Sequence, residues 1–323
     1  MEINKVEISN NKDWFELLHS DYNMFYDYRF ISYNNVFNKG INWHHLTFKD
    51  KNKTIAILNG CEKNINGKKI YISCDGVSFG GFLWRDKLNV VDYINTVSNF
   101  KEYLKRNDFS ICKIRNQPFL YQKHFFNEEY EYSLINQGFI ISNHSITNII
   151  NLKEFEFEKL TNPKKRAIQK SEKNIVIDIL EKNINLAFLK PYYDVLYRNR
   201  QLKNVIPTHT LEELVYLKNN LPERIIMFSA MVNDIIAGIC ILFLVKNDVV
   251  LNFYLATDEN YKKERVADFL LYKSIEWAKK SNLHYYDIGT SNVGKNLLEG
   301  LFEFKKKFMA NGFLRKTFEF DFI

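Results

Sequence analysis

The chain has 323 residues, 46% of them apolar, with 27 Phe, 19 Tyr and a formal net charge of +7. That is enough apolar material for two packed domains, and it excludes a disordered or low-complexity chain. The positive charge gathers at 163–173 (PKKRAIQKSEK) and 305–316 (KKKFMANGFLRK). Such clusters suit phosphate or nucleic acid, and equally a solvated helix face. No aromatic RNA-binding motif accompanies them, so neither a nucleic-acid module nor a DNA partner is expected. The opening MEINKVEISNNKDW lacks an apolar signal core. The longest apolar run, 235–245, is far too short to cross a membrane. A cytoplasmic protein with no integral membrane segment is expected. Cys61, Cys74, Cys112 and Cys240 are scattered in strand-like runs without CxxC spacing or a Cys/His cluster. They read as reduced core residues, with no metal site.

In chain order, 13–38 holds one or two helices, followed by strands at 41–48 and 54–61. Asn66-Gly67 is a tight hairpin turn leading into a strand at 69–74. A glycine-rich turn, 75–82, precedes a helix at 89–105 whose Val90, Ile94, Val97 and Leu104 share a face. A short strand at 110–115, a helix at 128–137 and a long strand at 139–152 complete the first half. The second half begins with the basic helix 163–173, with Pro163 in its first turn. A strand at 175–180 and helices at 186–201 and 210–220 follow. Two strands, 224–232 and 235–245, pair across Asn233-Asp234.

The stretch 252–291 then reads strand, polar loop, helix, strand. The strand runs over 249–256. The helix places Ala267, Leu270, Leu271, Ser274, Ile275 and Ala278 on one face, at the spacing of a buried stripe. It ends at Ser281-Asn282, and 284–288 returns as a strand. A unit of this kind is a parallel crossover. Ligands of such sheets gather where strand ends meet a helix N-terminus. A last helix is expected over 293–309 and a last strand over 312–322. The two halves share one pattern of elements without sequence identity. An α/β fold with mixed sheets follows, in two similar domains, 1–152 and 153–323, packed with a cleft between them.

This order of elements resembles the tandem GNAT-fold acyltransferases, including the Fem-type aminoacyltransferases of peptidoglycan synthesis and the FemAB-like acetyltransferases. The resemblance is carried by the helix Lys164–Lys170, the hairpin around Phe228-Ser229-Ala230 and Ile236-Ala237-Gly238, Tyr286-Asp287-Ile288-Gly289, the run Gly300–Phe308, and Ser78-Phe79-Gly80-Gly81. It implies two GNAT-like domains, with an acyl-donor groove in the second. It also implies direct attack in a ternary complex, and acetyl-CoA or another acyl-CoA as donor. The acceptor would be a small molecule or glycan precursor of the cell envelope. Aminoacyl-tRNA is the alternative donor, less favoured because no helical arm is inserted. A binding module that merely retains the fold is the other alternative.

On this resemblance Asp287, Tyr254 and Lys305 are the candidate catalytic residues. Asp287 is a base or orienting carboxylate, and capping the next helix or pairing with Lys305 would explain it as well. Lys305 would neutralise a phosphate or polarise the acyl carbonyl, or is one surface lysine among three. Donor contacts fall on Leu255, Ala256, Lys262, Lys263, Arg265, Val266 and Ala267. That loop lacks the glycine usual before the central helix; Lys262, Lys263 and Arg265 would supply positive charge in place of bare amides, and a solvated helix start explains them as well. Asp75, Ser78, Arg198, Arg200 and His209 are the candidate acceptor contacts. No GxSxG elbow, P-loop, HExxH or dinucleotide fingerprint occurs, which argues against hydrolase, NTPase, zinc protease and dehydrogenase.

Overall fold

The structure, a computed structural model, describes residues 1–37, 39–73, 75–122, 128–180 and 183–322. Cys74 therefore lies outside the described residues, while Cys61, Cys112 and Cys240 are buried free thiols. The chain forms two compact units. One comprises Met1–Ser145 with Leu314–Ile323, the other Ile146–Phe313.

The first unit contains β1 (Glu2–Val6), α1 (Lys12–Ser20), α2 (Tyr28–Val36), β2 (Asn42–Trp43), β3 (His45–Asp50), β4 (Lys53–Leu58), β5 (Cys61–Ile65), β6 (Lys68–Ile72), β7 (Phe82–Trp84), α3 (Val90–Arg106), β8 (Ile111–Arg115) and α4 (Glu129–Asn136). It also holds the start of β9 (Ile140–Asn151). Strands β1-β3-β4-β7 make an antiparallel sheet. A second sheet runs β8-β6-β5-β2, with β6 and β8 parallel around the α3 crossover. Asn66 and Gly67 both take left-handed φ, 52° and 76°, which the two-residue hairpin between β5 and β6 requires. Helix α3 starts at a capping box. Asn89 Oδ1 accepts from the amides of Val91 and Asp92, and Asp92 accepts from the Asn89 amide at 2.9 Å. Its Tyr93, Thr96, Val97, Phe100 and Leu104 are buried.

The second unit runs from the end of β9 through α5 (Asn162–Ser171), β10 (Val176–Ile179), α6 (Leu186–Gln201), α7 (Leu211–Asn220), β11 (Ile225–Val232), β12 (Ile235–Leu244), β13 (Val249–Thr257), α8 (Val266–Lys280), β14 (Tyr285–Thr290), β15 (Asn292–Val293), β16 (Asn296–Leu297), α9 (Glu299–Lys306) and into β17 (Asn311–Asp321). Its sheet is ordered β10-β11-β12-β13-β14-β9. Only the β13–β14 pair is parallel in it, bridged by α8 as the sequence predicts. Leu270, Leu271, Ser274, Ile275 and Ala278 of α8 are buried against the sheet. Each large aliphatic residue there contributes about 1.5–3 kcal/mol. Gly238 on β12 permits this approach. A Cβ at that position would lie 2.9 Å from Val266 Cγ1 and 3.3 Å from the Ala256 carbonyl.

Two expectations are corrected. The helix predicted over 293–309 is a small hairpin, β15–β16, followed by the shorter α9. Asn292 sets the turn, donating from Nδ2 to the Gly294 carbonyl at 2.6 Å while its Oδ1 accepts from the Ile146 amide. Gly294 itself sits at φ 54°. The units also differ from the expected division after 152. The boundary falls inside β9, and most of β17 belongs to the first unit. There β17 pairs with β8 from Thr317–Arg115 to Asp321–Ile111.

Candidate functional site

The second unit contains an opened pair of parallel strands. β13 and β14 are in register only at Val249/Tyr285, Val250/Tyr286 and Leu251/Asp287. Past that point β13 continues to Thr257 beside β12 alone, and β14 bends towards β9. Two local irregularities separate them. A register shift opposite Ile241/Leu242 leaves Phe253 as an extra residue in β13, a β-bulge. Gly289, at φ 84°, turns β14, and the β14–β9 ladder skips between Asp287 and Thr290. Alternate amides of the last stretch of β13 thus face the side from which β14 has departed.

Two of the predicted catalytic residues hold that turn. Asp287 Oδ1 accepts from Thr147 Oγ1 at 2.5 Å and from the Gly289 amide at 2.7 Å. Lys305, on α9, donates from Nζ to the carbonyls of Gly289 and Thr290, both at 2.8 Å. Asp287 is 0% exposed and Lys305 3%. Each is folded onto the backbone of the Gly289 turn. Tyr254 is likewise buried. Its hydroxyl accepts from the His209 amide at 3.0 Å, His209 Nδ1 lies 3.0 Å from the same oxygen, and the Arg200 guanidinium lies 5.6 Å from the ring centre. Burial pushes the phenol up to about 12, so it stays protonated at neutral pH. Burial also lowers the Arg200 pKa. Arg200, His209 and Tyr254, drawn from three sequence regions, therefore form one cluster.

The pocket lies where the glycine-free loop enters α8. It has a volume of about 640 Å³ and is lined by Lys262, Arg265 and Ala267 of the predicted loop, together with Lys164, Asn199, Thr257, Asp258, Glu259, Asp268, Gly300, Phe304 and Lys307 among others. Arg265 takes the glycine's place, with φ 60° and ψ 33° at the position before the helix. Its Nε reaches Asp268 Oδ2 at 3.1 Å. The buried Lys164 ammonium bonds the same carboxylate and lies 4.6 and 4.3 Å from the ring centres of Phe304 and Phe308. Burial lowers the Lys164 pKa, while Asp268 opposes the shift. Arg198 bonds Asp258 at 3.1 Å, and Asn199 Nδ2 donates to the Thr257 carbonyl at 2.9 Å, so α6 closes one side. Lys263, Leu255, Ala256 and Val266 are not lining residues. Ala256 and Val266 instead pack in the core.

The remaining predicted residues, Asp75 and Ser78, belong to the first unit. Asp75 pairs with Lys63 at 3.0 Å. There the parallel strands stay closed. Past β6, Ser73 donates its amide to the Lys113 carbonyl and accepts from the Arg115 amide. Gly80 donates to the Arg115 carbonyl at 2.8 Å. The sequence reading missed Lys164, Asn199, Asp258, Asp268, Phe304 and Lys307 as site residues. Lys164 and Lys307 stand inside the two basic clusters, and with Phe304 they fall within the motifs that carry the resemblance.

The residues present suit a pyrophosphate. Lys164, Lys262, Arg265 and Lys307 outnumber Asp258, Glu259 and Asp268 around the pocket. The first turn of α8 carries the positive end of the helix dipole, and in it the Asp268 amide donates to the Arg265 carbonyl at 3.0 Å. No group of three or more His, Cys, Asp or Glu among the described residues is placed to hold a metal.

This arrangement, a bulged strand splayed from its parallel neighbour with a pocket at the connecting helix, defines a GNAT-type unit, and the chain has the mixed α/β tandem GNAT fold. It is similar to FemX, with a TM-score of 0.69 at 11% identity, covering 99% of this chain and 97% of that one. L-PGS from Bacillus licheniformis gives 0.63 at 10%, covering 98% and 93%. A tandem GNAT protein from the clavulanic acid biosynthesis pathway gives 0.57 at 7%, covering 99% and 98%. No protein-family model matches the chain. No curated protein matches it by sequence.

Proposed function

We propose that the protein is an acyltransferase whose donor lies in the second unit. It would move an acetyl group from acetyl-CoA to an amine or hydroxyl of a sugar or cell-envelope precursor, in a ternary complex. The opening between β13 and β14, continuous in sequence with the pocket at α8, carries this reading. The donor supplies an activated acyl group as a thioester. Lys262, Arg265, Lys307 and the first-turn amides of α8 bind its phosphates. The bulged end of β13 presents amides to the acyl carbonyl. Asp287 and Lys305 are positioning residues that fix the Gly289 turn and so keep β14 away from β13. Tyr254, neutral and anchored by His209, supports the strand between them. A pocket of this size also speaks against a module that only kept the fold.

A thermal-shift titration with acetyl-CoA tests the reading. A ligand at a hundredfold excess over its Kd stabilises by about 2.7 kcal/mol, and a unit of this size then melts roughly 5–10 °C higher. No shift with acetyl-CoA or any longer acyl-CoA overturns it. The second reading is an aminoacyl-tRNA donor, as in the Fem-type enzymes that the chain resembles. Transfer of a labelled amino acid from charged tRNA, with no response to acyl-CoA, would select it.

A further inference from the structure

We infer that the loop after α6 is a docking tip for an anionic lipid bilayer. Leu202, Val205 and Ile206 are 60%, 51% and 77% exposed, three aliphatic side chains within five residues. Single exposed apolar residues need no account, but a contiguous group does. The backbone does not leave this group loose. Asn204 takes the left-handed conformation at φ 54°. The Arg200 carbonyl accepts from the amides of Lys203 at 3.0 Å and Val205 at 3.1 Å, and Asn204 donates to the Gln201 carbonyl at 2.9 Å. These are the bonds of a helix C-terminal cap closed by a left-handed residue. The cap fixes the direction of the loop, so the aliphatic groups are held outwards by a rigid turn. A hollow of about 600 Å³ beside them is lined by Tyr197, Gln201, Asn204, Val205 and Ile206.

The charge around the tip selects the partner. Residues 195–210 contain Arg198, Arg200 and Lys203 and no acid; Arg198 is paired with Asp258 and Arg200 packs on Tyr254, so the exposed Lys203 is the cation beside the tip. A protruding aliphatic tip with a cation beside it enters the headgroup layer while the cation meets anionic lipid. The same helix carries Asn199 into the pocket wall. If the proposed function holds, docking brings the donor pocket to acceptors anchored in that membrane.

The test is co-sedimentation of the full chain with vesicles rich in phosphatidylglycerol and with pure phosphatidylcholine vesicles. Binding is expected to the first, falling as salt screens Lys203. The variant Leu202→Ser/Val205→Ser/Ile206→Ser is expected to lose about tenfold in binding with an unchanged melting temperature and an unchanged response to acetyl-CoA. Lys203→Gln lowers binding by a smaller factor. Equal binding to both vesicles, no binding to either, or a triple variant that binds like the original overturns the proposal. So does a dimer in sedimentation velocity that the triple variant converts to monomer, since the tip would then join two copies of the chain. Vesicle binding that persists without any acyl-CoA response leaves the docking tip standing and removes the acetyl-CoA reading.

Discussion

Replacing Lys305 by Met separates a structural lysine from one that meets reactants. The side chain is buried, and its Nζ makes two bonds of 2.8 Å to the carbonyls of Gly289 and Thr290. Hydrogen bonds to a charged group contribute about 1.5–3 kcal/mol each. Methionine matches the stem in length but leaves both carbonyls without that donor. Part of the loss is offset, because the ammonium no longer has to be desolvated. A net destabilisation of about 3 kcal/mol follows. At roughly 2–4 °C per kcal/mol, the second unit should melt about 6–12 °C lower. Differential scanning calorimetry reads this directly, with acetyl-CoA titrated into both proteins. The expected result is a lower melting temperature together with weakened donor binding. An unchanged melting temperature with abolished turnover would refute the positioning role and place the ammonium at the reacting centre.

Asp287→Asn keeps one acceptor for the Gly289 amide but loses the charge, and should cost about 1–2 kcal/mol by urea denaturation with a parallel fall in turnover. Full turnover would remove Asp287 from the mechanism. Gly238→Val inserts a side chain 2.9 Å from Val266 Cγ1, and should destabilise by about 1–3 kcal/mol or more, seen as faster limited proteolysis of the second unit. Arg265→Gly relieves a left-handed non-glycine residue, worth about 1 kcal/mol. It also gives up a half-exposed ion pair worth at most a similar amount. Stability should therefore change little while the acetyl-CoA Kd rises, and an unchanged Kd would exclude Arg265 from the donor site. In the first unit, burial and the neighbouring His44 push His45 down to about 3 from 6.5. As pH falls below 6.5 the unfolded chain takes up this proton first. The contribution of neutral His45 is thus full above 6.5 and lost towards 3, by about 1.4 kcal/mol per pH unit. His45→Phe should flatten the slope of denaturation midpoints in that window, and an unaltered slope would contradict it.

Much of the fold was legible because its signals are local. Asn66-Gly67 and Asn233-Asp234 both take the left-handed pairs that tight hairpins need. The α8 stripe follows from side chains three and four positions apart. The hairpin at 292–297 was not legible, since a side-chain bond from Asn292 makes the turn inside a pattern that also suits a helix. In the candidate site, the strand–helix order marks the loop before α8 as a place for a ligand, and the resemblance names its residues. What escaped were partners brought in from afar. Lys164 reaches Asp268 across more than a hundred residues of chain, and Asn199 reaches Thr257 from another helix. The buried states of Asp287 and Lys305 were equally invisible, because burial belongs to the packed neighbours and not to the motif.

The membership of β17 constrains how the protein is made. Phe318 is fully buried in the first unit's core beside Cys112 and Ile114, and β17 supplies the antiparallel partner of β8. A ribosome must therefore translate all of the second unit before the first can close. At typical elongation rates that interval is roughly 10–30 s. During that time β8 presents an unpaired edge, which chaperones or neighbouring nascent chains can occupy. The second unit, whose residues are continuous in sequence, is free to complete first, so the order of folding runs against the order of synthesis.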